Sequence, residues 1–208
     1  MKTRLVGVSL LLLPFLFFCE VSFAQLIIDK GIYKANFSNK FRQPRYVSYT
    51  LYKGGGDCNR NHFSFRNDID SALTATDHDY AGSGYDKGHL ANAEDFAFDC
   101  TSDELTFRYY NCLPQTANLN RGLWKRNETD VRGWSQKEKL YIICGGYFGR
   151  TKIGNVRVPS HCWKVVQSVE TKKVLFCGWF ANTNKATLDT LTVADLEKKL
   201  KSRIILLK

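Results

Sequence analysis

Two stretches of this chain carry side chains able to do chemistry together. The first is Tyr85-Asp86-Lys87-Gly88-His89-Leu90-Ala91, a histidine beside an acid, a base and a glycine. The second runs Asn111-Cys112-Leu113-Pro114-Gln115-Thr116-Ala117-Asn118-Leu119-Asn120-Arg121-Gly122-Leu123-Trp124-Lys125-Arg126-Asn127-Glu128. A neutral imidazole can take a proton from water near physiological pH. Amide and carboxylate oxygens suit a hard cation such as Mg²⁺, which keeps much of its hydration shell. Lys87 is close enough in sequence to His89 to reach the same phosphate. Together these are the parts of a metal-dependent phosphodiester cleavage. Taken singly they have plainer explanations. A histidine after a loop is more often structural than catalytic, and a Glu-Arg pair often marks a solvated helix face.

These groups need elements to hold them. Residues 118–139 have helical character, interrupted by Gly122 and Gly133. Asn120 and Glu128 are eight residues apart, which at ~100° per residue brings them within about 80° of each other. Glu128 and Arg132 share a face at i, i+4, as do Asn120 and Trp124. One stripe can thus present an amide oxygen, a carboxylate and a guanidinium to one cleft. Residues 77–88 are rich in Asp, Gly and Ser and predict a loop leading to His89. Gly88 there permits a close backbone approach or a positive φ, and Asp86 is either an anchor or an ordinary turn acid. Residues 46–52, 140–144, 162–166 and 174–180 read as strands, the first ended by Gly54-Gly55-Gly56. Thr192 and Asp195 have capping-box spacing, and Leu196 and Leu200 follow at i, i+4, which predicts a short amphipathic helix near the C-terminus. The class is α+β, a mostly antiparallel central sheet with flanking helices.

The 208 residues, with 44% apolar and 13% aromatic, suffice for a full core and exclude a disordered chain. Residues 1–24 read as a leader: Lys2 and Arg4 precede an apolar run at 5–18 that is shorter than a spanning helix, and Val21-Ser22-Phe23-Ala24 offers a cleavage site before Gln25. Export follows, to the medium or periplasm, with no stable membrane association after cleavage, and 25–208 form a single domain. Losing Lys2, Arg4 and Glu20 takes the net charge from +10 to +9, a balance that suits a polyanionic partner. With Cys19 gone, Cys58, Cys100, Cys112, Cys144, Cys162 and Cys177 remain, an even count that predicts three disulfides without choosing the pairing. Zinc is disfavoured, because no CxxC exists and His161 and Cys162 are adjacent on a strand. Asn36-Phe37-Ser38 is the better glycosylation sequon, Asn127-Glu128-Thr129 being a chance match on the helix.

Asp86-Lys87-Gly88-His89 resembles the DRGH motif of the secreted DNA/RNA non-specific endonucleases, the ββα-metal group that includes endonuclease G. Asn111-x-x-Pro114-Gln115-x-x-x-Leu119-Asn120-x-Gly122-x-Trp124-x-x-x-Glu128 resembles the second signature of that group. Phe65-Arg66-Asn67-Asp68, Asp79-Tyr80-x-Gly82-Ser83-Gly84, Gly145-Gly146 and Val158-Pro159-Ser160-His161-Cys162-Trp163-Lys164-Val165 are further matches, so the resemblance spans about 46–200. It implies a ββα-metal catalytic motif and hydrolysis of DNA and RNA to 5′-phosphate products, with Mg²⁺ as cofactor and Mn²⁺ as substitute. It implies His89 as general base, Asn120 as direct metal ligand, Glu128 as a ligand through water, and Arg132 at the phosphate. Asn111 becomes a supporting active-site amide, and Lys87, Arg121 and Arg60 contact the substrate. Pro114 and Trp124 are packing residues. Lys87 stands where the family has Arg, keeping the charge and losing the bidentate fork. Arg60 and Arg66 both lie near the place of a further family arginine, and neither aligns cleanly. Two rivals follow: a non-catalytic cationic nucleic-acid-binding protein on the same fold, which Lys87 favours, and a disulfide-rich interaction domain. An inhibitor partner and the oligomeric state are not read from the sequence.

Overall fold

The computed structural model of the protein describes residues 26–69 and 73–208; the leader expected over 1–24 lies outside the described residues. Seven strands form an antiparallel sheet in the order β1-β2-β3-β6-β7-β8-β9. They are β1 (Leu26–Asp29), β2 (Lys34–Ser38), β3 (Gln43–Leu51), β6 (Leu140–Ile153), β7 (Val156–Ser168), β8 (Val174–Ala181) and β9 (Leu188–Thr190). A separate ribbon pairs β4 (Tyr85–His89) with β5 (Cys112–Thr116). The helices are α1 (Asp77–Tyr80), α2 (Cys100–Thr106), α3 (Lys125–Ser135) and α4 (Val193–Leu200). The α+β class with a mostly antiparallel sheet stands.

Alternation along the central strands sends side chains to a core on each face, and the far ends of β6 and β7 feed a third cluster with Tyr80, Tyr109 and Cys112. Ile142, Cys144 and Val166 join Leu90, Leu113 and Trp124 on one face. Ile143, Trp163, Val165 and Cys177 join Leu196 of α4 on the other. Both faces are covered, which is why 140–144 reads as an unbroken apolar run. Burying a side chain such as Leu140 or Ile142, each fully buried, contributes roughly 1.5–3 kcal/mol. Thr192 caps α4 by accepting from the Asp195 N–H at 3.1 Å, and Lys201, at φ 53, ends it.

Several expectations change. The segment at 77–88 is not a loop but α1 followed by β4. Its ribbon is long-range: Gly88 pairs with Leu113 and His89 with Cys112, so the two chemical motifs supply the two strands. Gly88 is required for a close approach, because a Cβ there would run into the Gln115 side chain. Likewise the strand expected at 140–144 continues through Gly145 within β6, where a Cβ would strike the Arg45 carbonyl of β3. Gly133 stays inside α3, whereas Gly122 breaks the helix at φ −107, ψ −106 within a wide π turn at Leu119–Trp124.

Among the described residues the expectation of three disulfides is corrected to one. Cys58 bonds Cys100, while Cys112, Cys144, Cys162 and Cys177 are buried thiols. Cys112 and Cys177 sit in two different cores, apart from the one shared by Cys144 and Cys162. Cys144 faces Lys164 across the ladder and Cys162 faces Gly146. The two are therefore diagonal neighbours, ~7–8 Å apart, beyond ordinary disulfide reach. Neither sequon is accessible, since Asn36 and Asn127 are buried.

Candidate active site

The β4–β5 ribbon, the π turn and α3 converge on a cleft of about 480 Å³ lined by His89, Asn120, Glu128 and Arg132. His89 closes β4. Its ring packs between Phe65 at 4.7 Å and Phe107 at 4.8 Å. The Trp124 indole N–H donates to the His89 carbonyl at 3.1 Å, fixing the backbone from below. The side-chain Nε2 is buried and has no hydrogen-bond partner among the described residues. Burial, helped by the Arg60 charge, lowers the imidazole to about 3. It is therefore a neutral ring with an available lone pair across the physiological range.

Asp86 proves to be an anchor. One of its oxygens accepts from Asn120 Nδ2 at 3.0 Å and Arg121 Nε at 2.8 Å; the other accepts from Arg121 Nη2 at 2.7 Å. The paired Arg121 guanidinium, then Asn120, hold its carboxyl below the usual range. With its NH₂ bound to Asp86, Asn120 keeps its carbonyl oxygen as the acceptor for the cleft. Glu128 is buried, and its Oε1 has no partner among the described residues. Burial pushes its carboxyl up to about 7 against the pull of Lys164. Arg132 donates to Asp95 at 2.8 Å and to Asn92 at 3.3 Å, and Tyr49 donates to the other Asp95 oxygen at 2.9 Å.

Among the described residues no three His, Cys, Asp or Glu side chains gather as a metal-binding group. A closed, all-protein cage is therefore absent from them. An amide oxygen plus an orphaned buried carboxylate oxygen fits a small hard cation that keeps most of its water.

Of the other expected site residues, Arg60 and Arg121 line the cleft, while Lys87 and Asn111 do not. Lys87 does not line this cleft. It points to the same side of β4 as His89, but its ammonium pairs with Asp77 and lies 5.4–5.9 Å from the ring centres of Phe65, Tyr80 and Tyr109. Lys87 is the main influence holding Asp77 below the usual carboxylate range. Arg60, which did not align cleanly, does line the cleft. It pairs with Glu94, and its Nε lies 3.7 Å from the buried Asp103, whose carboxyl burial pushes up to about 6. Arg121 lines the cleft as well, but its guanidinium is committed to Asp86. Asn111 is fully buried and spent on backbone: it bonds both polar groups of Ala91 at 2.9 Å and the Thr106 carbonyl at 2.8 Å. It positions the chain leaving His89 and cannot reach a substrate. The sequence reading also missed Asn92, Glu94 and Lys125 on the cleft wall. Asn92, an N-cap whose Oδ1 accepts from Glu94 N at 2.8 Å, carries a cap signature in sequence; Lys125 has no local signal.

A model of the DNA/RNA non-specific endonuclease family matches residues 18–201. Mouse (Mus musculus) mitochondrial nuclease EXOG is 35% identical over 167 residues, 70% of this chain and 45% of that protein. A nuclease of Nostoc sp. is 37% identical over 107 residues, 50% of this chain and 39% of that protein. Nuclease C1 of Cunninghamella echinulata is 32% identical over 175 residues, 73% of this chain and 69% of that protein. The matched region thus spans less than half of the mouse and Nostoc relatives. A chain in the crystal structure of the EndoG/EndoGI complex shares the fold, with a TM-score of 0.71 at 22% identity over 84% of this chain and 83% of that one.

Proposed function

The chain belongs to the DNA/RNA non-specific endonuclease family, and from that membership we propose that it hydrolyses phosphodiester bonds of DNA and RNA at the His89 cleft. The observation that carries this is the pair of orphaned atoms on one cleft: His89 Nε2, an available base, and Glu128 Oε1, an uncommitted carboxyl oxygen. His89 accepts the proton of the attacking water. Asn120 through its carbonyl oxygen, and Glu128 through water, would hold Mg²⁺, with Mn²⁺ as substitute. When bound, that ion supplies positive charge to the phosphate and the departing 3′-oxygen, so products carry 5′-phosphates. Arg132, held at 2.8 Å by Asp95, and Arg60 balance the growing charge on the phosphate. These contacts address the sugar-phosphate backbone, which accounts for hydrolysis without sequence preference.

Incubating the protein with plasmid DNA and with RNA, with Mg²⁺ and with Mg²⁺ plus chelator, tests the proposal. Cleavage of both substrates that chelator abolishes is expected. Binding without cleavage would replace it with a cationic binding protein on the same fold. Lys87, the residue that favoured that rival, lies outside the cleft and no longer speaks for it. Export through a leader over 1–24 is part of the proposal and rests on sequence. Terminal sequencing of the mature protein should begin at Gln25; a chain retaining Met1 would contradict it.

A further inference from the structure

Beside Arg60 lies a buried acid that the mechanism does not use. Asp103 sits in the first turn of α2, fully buried, and does not line the cleft. Among the described residues neither of its carboxyl oxygens has a hydrogen-bond partner. A carboxylate buried in that way is costly unless a cation stands against it. Among the described residues that cation is Arg60, whose Nε lies 3.7 Å from Asp103 Oδ2. Arg60 in turn needs a hold. Its side chain is one-third exposed, and its segment, 54–60, belongs to no helix or strand. An arginine loses much rotamer freedom when it is fixed, so an anchor that fixes it before substrate arrives lowers the cost of using it. Three contacts bring the segment against the start of α2. The Cys58–Cys100 disulfide joins the residue two positions before Arg60 to the residue three before Asp103. The Cys58 N–H donates to the Ala97 carbonyl at 3.1 Å. Gly56 lies so close that a Cβ there would strike that same carbonyl. The guanidinium is then held on two sides, at Nη2 by Glu94 of the cleft wall and at Nε by Asp103 from outside it.

We propose that Asp103 is a positioning residue: the buried anion that, together with Glu94, fixes the Arg60 guanidinium at the cleft. It never meets the substrate. Its bearing on cleavage rests on the nuclease reading above; the pairing with Arg60 does not.

The test is a double-mutant cycle on Arg60→Ala and Asp103→Asn, read both by thermal unfolding and by plasmid nicking. Asp103→Asn keeps the shape of the side chain and removes its charge. Arg60→Ala should lower the melting temperature by roughly 4 °C or more. With Asp103→Asn already present the loss should shrink to about 2 °C or less, because no buried carboxylate is then left without its cation. In the nicking assay Asp103→Asn should lower kcat/KM roughly tenfold in the wild-type background. In the Arg60→Ala background, with no guanidinium left to position, it should lower kcat/KM less than about twofold. An acid that serves only the N-terminus of α2 would give losses that add. Additive losses in either readout, or an Asp103→Asn protein that does not fold, would overturn the proposal. A wild-type protein without nuclease activity would defeat the functional reading while leaving the unfolding cycle to decide on the pair.

Discussion

His89 and Glu128 owe their chemistry to being buried beside a cleft, and their charge states follow from that. A carboxyl pushed up to about 7 is largely protonated below that pH, so a cation must displace a proton to use it. Mg²⁺ affinity measured by calorimetry should therefore rise as pH increases from about 6 to about 8, and Glu128→Gln should flatten the profile. A pH-independent affinity in the wild type would show that Glu128 takes no part in holding the ion. Two cations divide differently. Arg60→Ala should lower kcat/KM roughly a hundredfold, the loss of one charge aimed at the phosphate. Lys87→Met should change the rate by less than about threefold and lower stability by about 1 kcal/mol, through lost ring contacts and an exposed ion pair. Equal losses of activity in both would return Lys87 to the site. Sequence spacing could not separate them. Lys87 is two residues from His89, yet its ammonium is taken by Asp77, a partner from α1. Arg60 comes from an irregular segment with no periodicity, tied down at Cys58 by the disulfide to Cys100.

The elements carry the geometry that separates a site from a list of residues. The stripe of Asn120, Glu128 and Arg132 was legible from helical spacing, and the three do share a cleft. The helix was legible as well, with its interruption at Gly122 in the π turn; the interruption expected at Gly133 does not occur. Trp124, which spacing placed on the stripe beside Asn120, is fully buried. The β4–β5 ribbon was invisible to local pattern, since its pairing joins residues more than twenty positions apart and one strand reads as turn-rich. Asp86 ties the two elements together. Asp86→Ala should weaken Mg²⁺ affinity roughly ten- to a hundredfold by releasing the Asn120 amide, with the fold retained by circular dichroism. Unchanged affinity would mean that Asn120 holds its orientation without the strand. Gly88→Ala should destabilise by about 1–3 kcal/mol, because the added methyl meets the Gln115 side chain.

At the scale of the molecule, one sheet contributes to three apolar clusters, and the ribbon with α3 presents its cleft over one face. The positive charge, +10 over the full chain, was the clearest whole-chain signal, and it matches a polyanionic substrate bound through its backbone. The cysteine count misled because the thiols of Cys112, Cys144, Cys162 and Cys177 are core side chains, and composition cannot tell a packed thiol from a bridged one. The central claim is that His89 is the base of a cation-dependent phosphodiester cleavage. Nicking of supercoiled plasmid in Mg²⁺ by wild type and by His89→Ala, with both folds checked by circular dichroism, tests it most directly. The account predicts chelator-sensitive nicking in the wild type and a loss of roughly 10²–10⁴-fold in the variant. A folded His89→Ala protein that nicks at the wild-type rate would contradict it.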